Sequence, residues 1–553
     1  MLVFICFAAL IYRILSLSYF DRASYLKTLN KTRTIFKKYS AKRGNILDRN
    51  GEILATSATQ LILGIDPYSV NLDKDQQKIK ILSDLLGIPI DVIKEKCTKK
   101  KIISNGKLHK ERWIELCKIE EHELLKAIEQ LHISGIYGIE KEHRIYPLGE
   151  ACAHITGFIN HDGIPVCGVE KHMDFYLSGQ DGFINSEKDG RRRELVQYRT
   201  QNISKNNGCD VVLTIDSKIQ QMVYRQLQNL ADQYSPECAS IIVSDAITGE
   251  IFALGNHPSY DPNNYGKFPI ENMRNRAVSD VYEPGSTFKI VVSSLALEYG
   301  LVDDDTTFDC SQETVTNRGA TIAMPKDHRL FGNISYVDVI RCSSNRGMAL
   351  MGLMLGEKKV YNGIKNFGYG SKTGYGFDSE VSGLLYPPSR WDAMTITRLP
   401  SGYCIAVTPI QTNYAMSVIS SNGLLLSPQL FKSINNNGNP ILKFHSQIRH
   451  RVLSKETASH IRDILNNPSY GKMHRPITYC GKSGTAQKII DGKYSHDHHI
   501  SSFVGFFPAE CPRVTITVVV NDAKVNSGVA WGSRIALPVF KSLAEEISEY
   551  LNL

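Results

Sequence analysis

The alternation of apolar and polar positions divides this chain into three stretches. Residues 1 to 20, MLVFICFAALIYRILSLSYF, are apolar apart from Arg13 and two serines. A membrane span takes about 20 such residues, and a central Arg13 costs about 3 kcal/mol unless its charge reaches the interface. No small-residue cleavage site follows, so residues 1–23 are predicted to be an uncleaved anchor. In the second stretch, residues 24–205, Asp48-Arg49-Asn50-Gly51 supplies turn chemistry between two apolar runs and predicts a hairpin. Residues 75–135 within it are rich in Lys, Glu and Leu at helical spacing, which predicts a small helical insertion. RIYPLGEACAHITGFI and CGVEKHMDFYLSGQDG read as mixed strand and turn, and the charged run EKDGRRREL leads to a fresh start at Cys209. From there CDVVLTIDSKIQQMVYRQLQNL and ASIIVSDAITGEIFAL read strand, helix, strand; the chain closes with FVGFFPA, RVTITVVVND and the helical LPVFKSLAEEISEYL. Strands at both ends of a helix-rich middle predict an antiparallel sheet carrying helices, an α+β domain over residues 206–553.

Length, 553 residues, fits about three domains. A net charge of +8 is mild, and no Lys/Arg block is dense or aromatic-interleaved enough for nucleic acid, which is excluded as a partner. No basic residue precedes the apolar run, whereas Lys27, Lys31, Arg33, Lys37, Lys38, Lys42 and Arg43 follow it. By the positive-inside rule that places the large domain in the cytoplasm. The twelve cysteines show no C-x-x-C and no ligand-like spacing, hence neither a disulfide framework nor a zinc site. For an exported chain this number means that some pair or that the compartment is not strongly oxidising.

Candidate chemistry begins at VYEPGSTFKI, residues 281–290. Pro284-Gly285 opens a helix, so Ser286 and Lys289 share a face one turn apart, an arrangement that can activate a hydroxyl. Spacing alone is weak, because Ser24/Lys27, Ser104/Lys107 and Ser469/Lys472 repeat it. Two further elements single out Ser286: Ser343-Ser344-Asn345, and Lys482-Ser483-Gly484-Thr485 in an apolar stretch able to form a strand. Serine nucleophile, S-x-N and K-[ST]-G together mark penicillin-binding proteins and related β-lactamases. Decoys exist at Ser420-Ser421-Asn422, which ends a helical pattern, and at Lys372-Thr373-Gly374, which lies in a glycine-rich loop. In chemical terms Ser286 attacks a carbonyl with Lys289, desolvated and neutral, as base. Ser343 passes the proton to the leaving amine. Asn345 binds a substrate amide and steadies Lys289, Lys482 adds positive charge, and Ser483 and Thr485 bind a carboxylate. Gly484 belongs with Ser483 and Thr485 to the substrate-binding set, and the backbone N–H groups of Ser286 and Thr485 form an oxyanion hole, where one donor is worth about 3 kcal/mol. No metal and no cofactor is required.

With these motifs, RGNILDRNGEILA, GVEK, PSYDPNNY, MRNRAVSDVYEPGSTFK, SSNRGM, Arg390-Trp391, VTPIQ and FVGFFPA, the chain resembles a class B penicillin-binding protein of the septal, cell-division type from about residue 40 to its end. The resemblance implies a transpeptidase domain on an N-terminal pedestal (24–205) with a single anchor in the bacterial inner membrane, the catalytic domain standing outside, against the charge rule. It further implies a serine D,D-transpeptidase acting on peptidoglycan stem peptides of lipid-linked nascent glycan and acylated by β-lactams. No glycosyltransferase signature is present, so a septal SEDS-type polymerase and other division proteins are the implied partners. A D,D-carboxypeptidase or β-lactamase on the same fold, and a non-catalytic scaffold, stand as alternatives. Cys404 stands where the family usually has glycine, and Ser483 where threonine is commoner. His496-Asp497-His498-His499 reads as an exposed hairpin tip, Asp48 and Arg49 as a turn ion pair, Glu170 as a domain-packing residue and Trp391 as a packing residue.

Overall fold

The computed structural model describes residues 1–553 except 68, 99, 103–107, 111–112, 120–121, 190–193, 378, 475 and 527. The Ser104/Lys107 pair and the three arginines of EKDGRRREL lie outside the described residues. At the N-terminus, helix Leu2–Leu15 runs into a wider turn, Ser16–Phe20; the segment Val3–Phe20, of mean hydropathy 1.9, is long and apolar enough to cross a membrane once.

Two compact units follow from the contacts: residues 1–55 with 146–553, and residues 56–145. The smaller is built on the long strand Ile53–Ile65, whose later residues pair antiparallel with Ile136–Ile145 and with Ile114–Ile119. Ile79, Leu82, Ile93, Leu116 and Ile128 form its separate core. The helical expectation for residues 75–135 holds for Gln76–Leu86, Ile90–Thr98 and His122–Gln130 and fails at IELCKI, a strand. There the apolar residues Ile114 and Leu116 alternate with polar ones at the two-residue period of a half-buried strand.

In the larger unit the Asp48–Gly51 turn joins Ile46–Leu47 to Ile53, and Gly51 takes the left-handed φ of +92° that the turn needs. Asp48 and Arg49 do not pair with each other. Asp48 is fully buried and accepts the N–H groups of Asn50, Glu52 and Ser217 at 2.7, 2.8 and 3.1 Å, while Arg49 reaches Glu250 at 3.2 Å. The two segments expected as mixed strand and turn are short helical turns, Gly149–Thr156 and Gly168–Leu177. Val169, Met173 and Leu177 recur every fourth residue and are buried, the helical period in a segment too short for sequence periodicity to declare itself. Glu170, also fully buried, holds the Arg43 guanidinium at 2.7 Å, tying the chain near the anchor to this layer.

The remainder is the expected α+β domain. Its elements, in chain order, are α1 (Ser217–Tyr234), β1 (Cys238–Asp245), β2 (Ile251–His257), α2 (Lys289–Glu298), α3 (Asn345–Leu355), α4 (Pro409–Ser420), β3 (Cys480–Ile490), β4 (Lys493–Phe507), β5 (Val514–Asn521) and α5 (Gly532–Leu551). The five strands form one antiparallel sheet in the order β2-β1-β5-β4-β3. Central β5, VTITVVVN, is buried on both faces: Val518-Val519-Val520 run without a break, and the Thr515 and Thr517 that alternate with Val514 and Ile516 are out of water as well. Ile219, Val223 and Leu227 of α1 and Phe540, Leu543 and Ile547 of α5 cover one face. α2, α3 and α4 contribute to the core that includes Val504, Phe506 and Val519 on the sheet. α1 starts where Asp216 Oδ1 accepts the N–H groups of Lys218 and Ile219, an N-cap. α2 is buried along Lys289–Ala296, so a lysine opens a helix with no face to water.

Candidate active site

The chain reaches Ser286 through a tightened helix start. Pro284 has φ −69° and ψ −14°, Gly285 has φ +55°, and Gly285–Phe288 is a 3-10 turn that passes into α2. At three residues per turn, side chains three apart eclipse, so the turn sets Ser286 and Lys289 in line. Two backbones hold it from either side. A Cβ added to Gly285 would stand 3.2 Å from the Thr485 carbonyl oxygen, and one added to Gly402 only 2.2 Å from the Gly285 oxygen. Gly484 is equally constrained: a Cβ there would meet Ser502 Oγ at 2.5 Å and Pro284 O at 2.9 Å. The glycines are therefore what lets the edge strand β3 and the Ser286 turn come together.

Lys289, fully buried, donates to Ser343 O at 2.6 Å, Asn345 Oδ1 at 2.7 Å and Ser343 Oγ at 3.1 Å. Lys482, on β3, donates to the same Ser343 Oγ at 3.0 Å and to Ser483 O at 3.1 Å. Two lysines thus share one hydroxyl. Burial, with the Lys482 charge as second cause, pushes the Lys289 ammonium well below its ordinary range; Asp327 works in the opposite direction. Ser343 itself takes φ +61°, and the left-handed residue turns its carbonyl and hydroxyl together towards Lys289. Ser344 N-caps α3, accepting from Gly347 N at 3.0 Å.

Along β3, Lys482 is buried while Ser483 and Thr485, two residues apart, are half-exposed, which leaves both hydroxyls open to a ligand. Ser483 Oγ is 3.1 Å from the Tyr470 hydroxyl, which also accepts Ser483 N–H at 3.0 Å. Thr485 Oγ1 accepts from Gly532 N at the start of α5 at 2.9 Å and keeps its own O–H to donate. Lys289, Ser343, Asn345 and Lys482 therefore form one hydrogen-bonded cluster, with Ser286 one turn before Lys289 and the Ser483-Gly484-Thr485 backbone alongside.

The decoys fall elsewhere. Lys372-Thr373-Gly374 lies in a loop in which Thr373 is held by Glu380, Ser421 closes α4 with Asn422 at φ +57°, and Ser24/Lys27 sits in helix Arg22–Arg33 behind the anchor. His496–His499 is not the hairpin tip: the tip is Asp491-Gly492, and the histidines lie within β4, with His498 Nδ1 2.7 Å from Asp522 Oδ1. Apolar residues beginning only at Ile500 hid this strand extension from the sequence. Among the described residues no group of His, Cys, Asp and Glu could hold a metal ion. Cys404 adopts φ +61°, and its N–H is held at 2.9 Å by Glu283, whose carboxyl burial raises towards the neutral form. Trp391 is buried, with Nε1 donating to Tyr386 O at 2.8 Å.

Sequence reasoning passed over Asp327, Lys326 and Tyr470. The Asp327 carboxylate accepts Ser344 O–H at 2.8 Å, Asn345 N–H and Arg346 N–H at 3.4 Å, and Lys326 O accepts Asn345 Nδ2 at 2.7 Å. Lys326 and Asp327 lie in irregular chain before the S-x-N element, and Tyr470 closes the short 3-10 turn Pro468–Tyr470, places where neither period nor spacing marks a residue.

Residues 239–545 match the penicillin binding protein transpeptidase domain, and residues 38–213 the penicillin-binding protein dimerisation domain. The chain is 30% identical over 522 residues to stage V sporulation protein D of Bacillus subtilis, spanning 92% of this chain and 78% of that protein. It is 30% identical over 527 residues to peptidoglycan D,D-transpeptidase FtsI of Escherichia coli K12, spanning 94% and 85%. A solved peptidoglycan synthetase from Bifidobacterium adolescentis matches with TM-score 0.72 at 25% identity, covering 94% of this chain and 97% of that one. Penicillin Binding Protein 2X from Streptococcus thermophilus shares the fold, with TM-score 0.74 at 23% identity over 93% and 80%. Both domain families follow one another along this chain, and relatives match it over most of their length: it belongs to the class B penicillin-binding proteins, a family of peptidoglycan D,D-transpeptidases.

Proposed function

We propose that this chain cross-links peptidoglycan stem peptides at the division septum through an acyl-enzyme on Ser286. The observation that carries this reading is the buried Lys289 in the Lys289–Ser343–Asn345–Lys482 cluster, one eclipsed turn from Ser286. As a neutral amine Lys289 donates to Ser343 O and Asn345 Oδ1 and keeps a lone pair for the Ser286 proton. Ser286 Oγ attacks the penultimate D-alanine carbonyl, and the oxyanion is received by the N–H groups of Ser286 and Thr485. The proton passes from Lys289 through Ser343 to the departing D-alanine nitrogen, and the C–N bond breaks. An amine of a neighbouring stem then attacks the ester, loses its proton along the reverse route and frees Ser286. Asn345 holds a substrate amide, while Lys482, Ser483 and Thr485 hold the terminal carboxylate beside Gly484. β-Lactams acylate Ser286 by the same steps and stall there.

The septal assignment is supported by the similarity to the Escherichia coli FtsI protein over nearly the whole chain. It brings with it a pedestal at 24–205, a catalytic domain at 206–553 outside the inner membrane, and a SEDS-type glycosyltransferase with other division proteins as partners. Intact-mass analysis of the full chain in detergent, with a β-lactam, tests the centre of this reading. A single stable adduct on Ser286, lost in Ser286→Ala, is expected. Absence of an adduct on folded protein favours a scaffold, and rapid drug turnover a hydrolase. Depletion that leaves division unaffected overturns the septal role.

A further inference from the structure

Asn345 makes contacts at both ends of its side-chain amide. Its Oδ1 accepts from Lys289, and its Nδ2 donates to the Lys326 carbonyl at 2.7 Å. The neighbouring Asp327 accepts the Asn345 and Arg346 N–H groups, at the N-terminus of α3 where backbone donors have no helical partner, and the Ser344 hydroxyl as well. Residues 326–327 thus fix the backbone and the amide of Asn345 at once, and with them the Ser343 carbonyl 2.6 Å from Lys289. The charges are arranged to match. Lys289 and Lys482 are both buried and both donate to Ser343 Oγ, and the Asp327 carboxylate is the acidic group that acts on Lys289. Two further titratable groups stand nearby: His328 feels both lysines and Asp327, and the Cys310 thiol, 3.5 Å from Ser344 Oγ, feels Asp327. The Arg346 guanidinium is directed to the carbonyls of Pro325, Cys310 and Ser311, and Arg329 lies over the Phe331 ring.

We propose that Asp327 is a positioning residue of this centre: its carboxylate seats the Ser343–Asn345 turn over Lys289 and sets a negative charge against Lys289. This rests on Lys289 being the base for Ser286. Two functions reside in one carboxylate, and two variants separate them. Asp327→Asn keeps one oxygen for the Asn345 and Arg346 N–H groups, turns its NH2 towards the Ser344 hydroxyl, which can accept it while donating to Cys310 Sγ, and deletes the charge. Asp327→Ala deletes both.

The sign of the charge effect is determined by the chemistry. Acylation needs the neutral amine, so its rate rises as pH passes through the Lys289 pKa. Asp327 raises that pKa, hence removing its charge moves the acid limb of the profile to lower pH. The test is the second-order rate of acylation by a fluorescent penicillin between about pH 5 and 9, on the full chain in detergent, with melting temperatures measured alongside. Asp327→Asn is expected to keep its plateau within about threefold and to shift the limb to lower pH. Asp327→Ala is expected to lose roughly tenfold at the plateau, the scale of one orphaned buried donor. His328→Gln is expected to leave the limb unmoved, which assigns the titration to Lys289. A wild-type limb that stays in place in Asp327→Asn, or an Asp327→Ala loss that only tracks the fraction unfolded, overturns the proposal and leaves the base reading intact. A wild-type profile flat over the whole range, with Ser286 still acylated, overturns the base reading and the charge argument together.

Discussion

Ser343→Ala tests the centre most directly, because one hydroxyl serves two lysines. The substitution deletes the bonds from Lys289 at 3.1 Å and from Lys482 at 3.0 Å. Lys289 retains two closer acceptors, whereas Lys482, also buried, retains the Ser483 carbonyl at 3.1 Å. A hydrogen bond to a charged group contributes about 1.5–3 kcal/mol, and loss of a positioned proton carrier lowers a rate by about 10²–10⁴. Acylation is therefore expected to fall by at least about 100-fold, or ~2.7 kcal/mol in the barrier. Ser343 holds φ +61°, so the companion variant is Ser343→Gly, which accepts that conformation without steric cost and still lacks the hydroxyl. Rates of acylation by a fluorescent penicillin, measured on the full chain with melting temperature as control, decide the matter. Should Ser343→Gly react within fivefold of the wild type and melt normally, the hydroxyl carries no proton and the relay is wrong.

Two further perturbations probe how the site is held. Gly484→Ala places a methyl 2.5 Å from Ser502 Oγ and 2.9 Å from Pro284 O, and over-packing of this kind costs about 1–3 kcal/mol. Because Pro284 belongs to the Ser286 turn, acylation should drop roughly tenfold while melting falls by only a few degrees; equal acylation rates would show that the turn moves freely. Arg43→Ala removes the guanidinium that pairs with fully buried Glu170 at 2.7 Å and with Asp174 at 2.5 Å. Losing one partner of a buried pair destabilises by about 3–5 kcal/mol, so unfolding should come at lower temperature, with Glu170→Gln in the same chain restoring part of the loss.

The site was legible in sequence to the extent that its chemistry is local. Ser286 and Lys289 belong to one turn, and Pro284-Gly285 before them shapes it, so residue type and spacing suffice. Ser343 and Lys482 were found because their neighbours Asn345, Gly484 and Thr485 complete recognisable elements. Asp327 and Lys326 were not, since they act from an irregular loop through a backbone carbonyl and a helix terminus. Strand Ile114–Ile119 was lost for a related reason: its charged surroundings mask a two-residue period. The short turns at 149–156 and 168–177 hold too few residues for a helical period to show.

By itself the sequence determined the apolar anchor segment, the α+β class and the three chemical elements, each a matter of composition or spacing within a few residues. Only the tertiary structure decided that Lys289 and Lys482 meet on one serine hydroxyl, that Lys289 is sealed from water and so drawn towards its neutral form, and that Asp327 acts on Lys289 in the opposite direction. Desolvation and charge balance depend on what the whole chain packs around a group, and the groups concerned lie up to 193 residues apart, from Lys289 to Lys482.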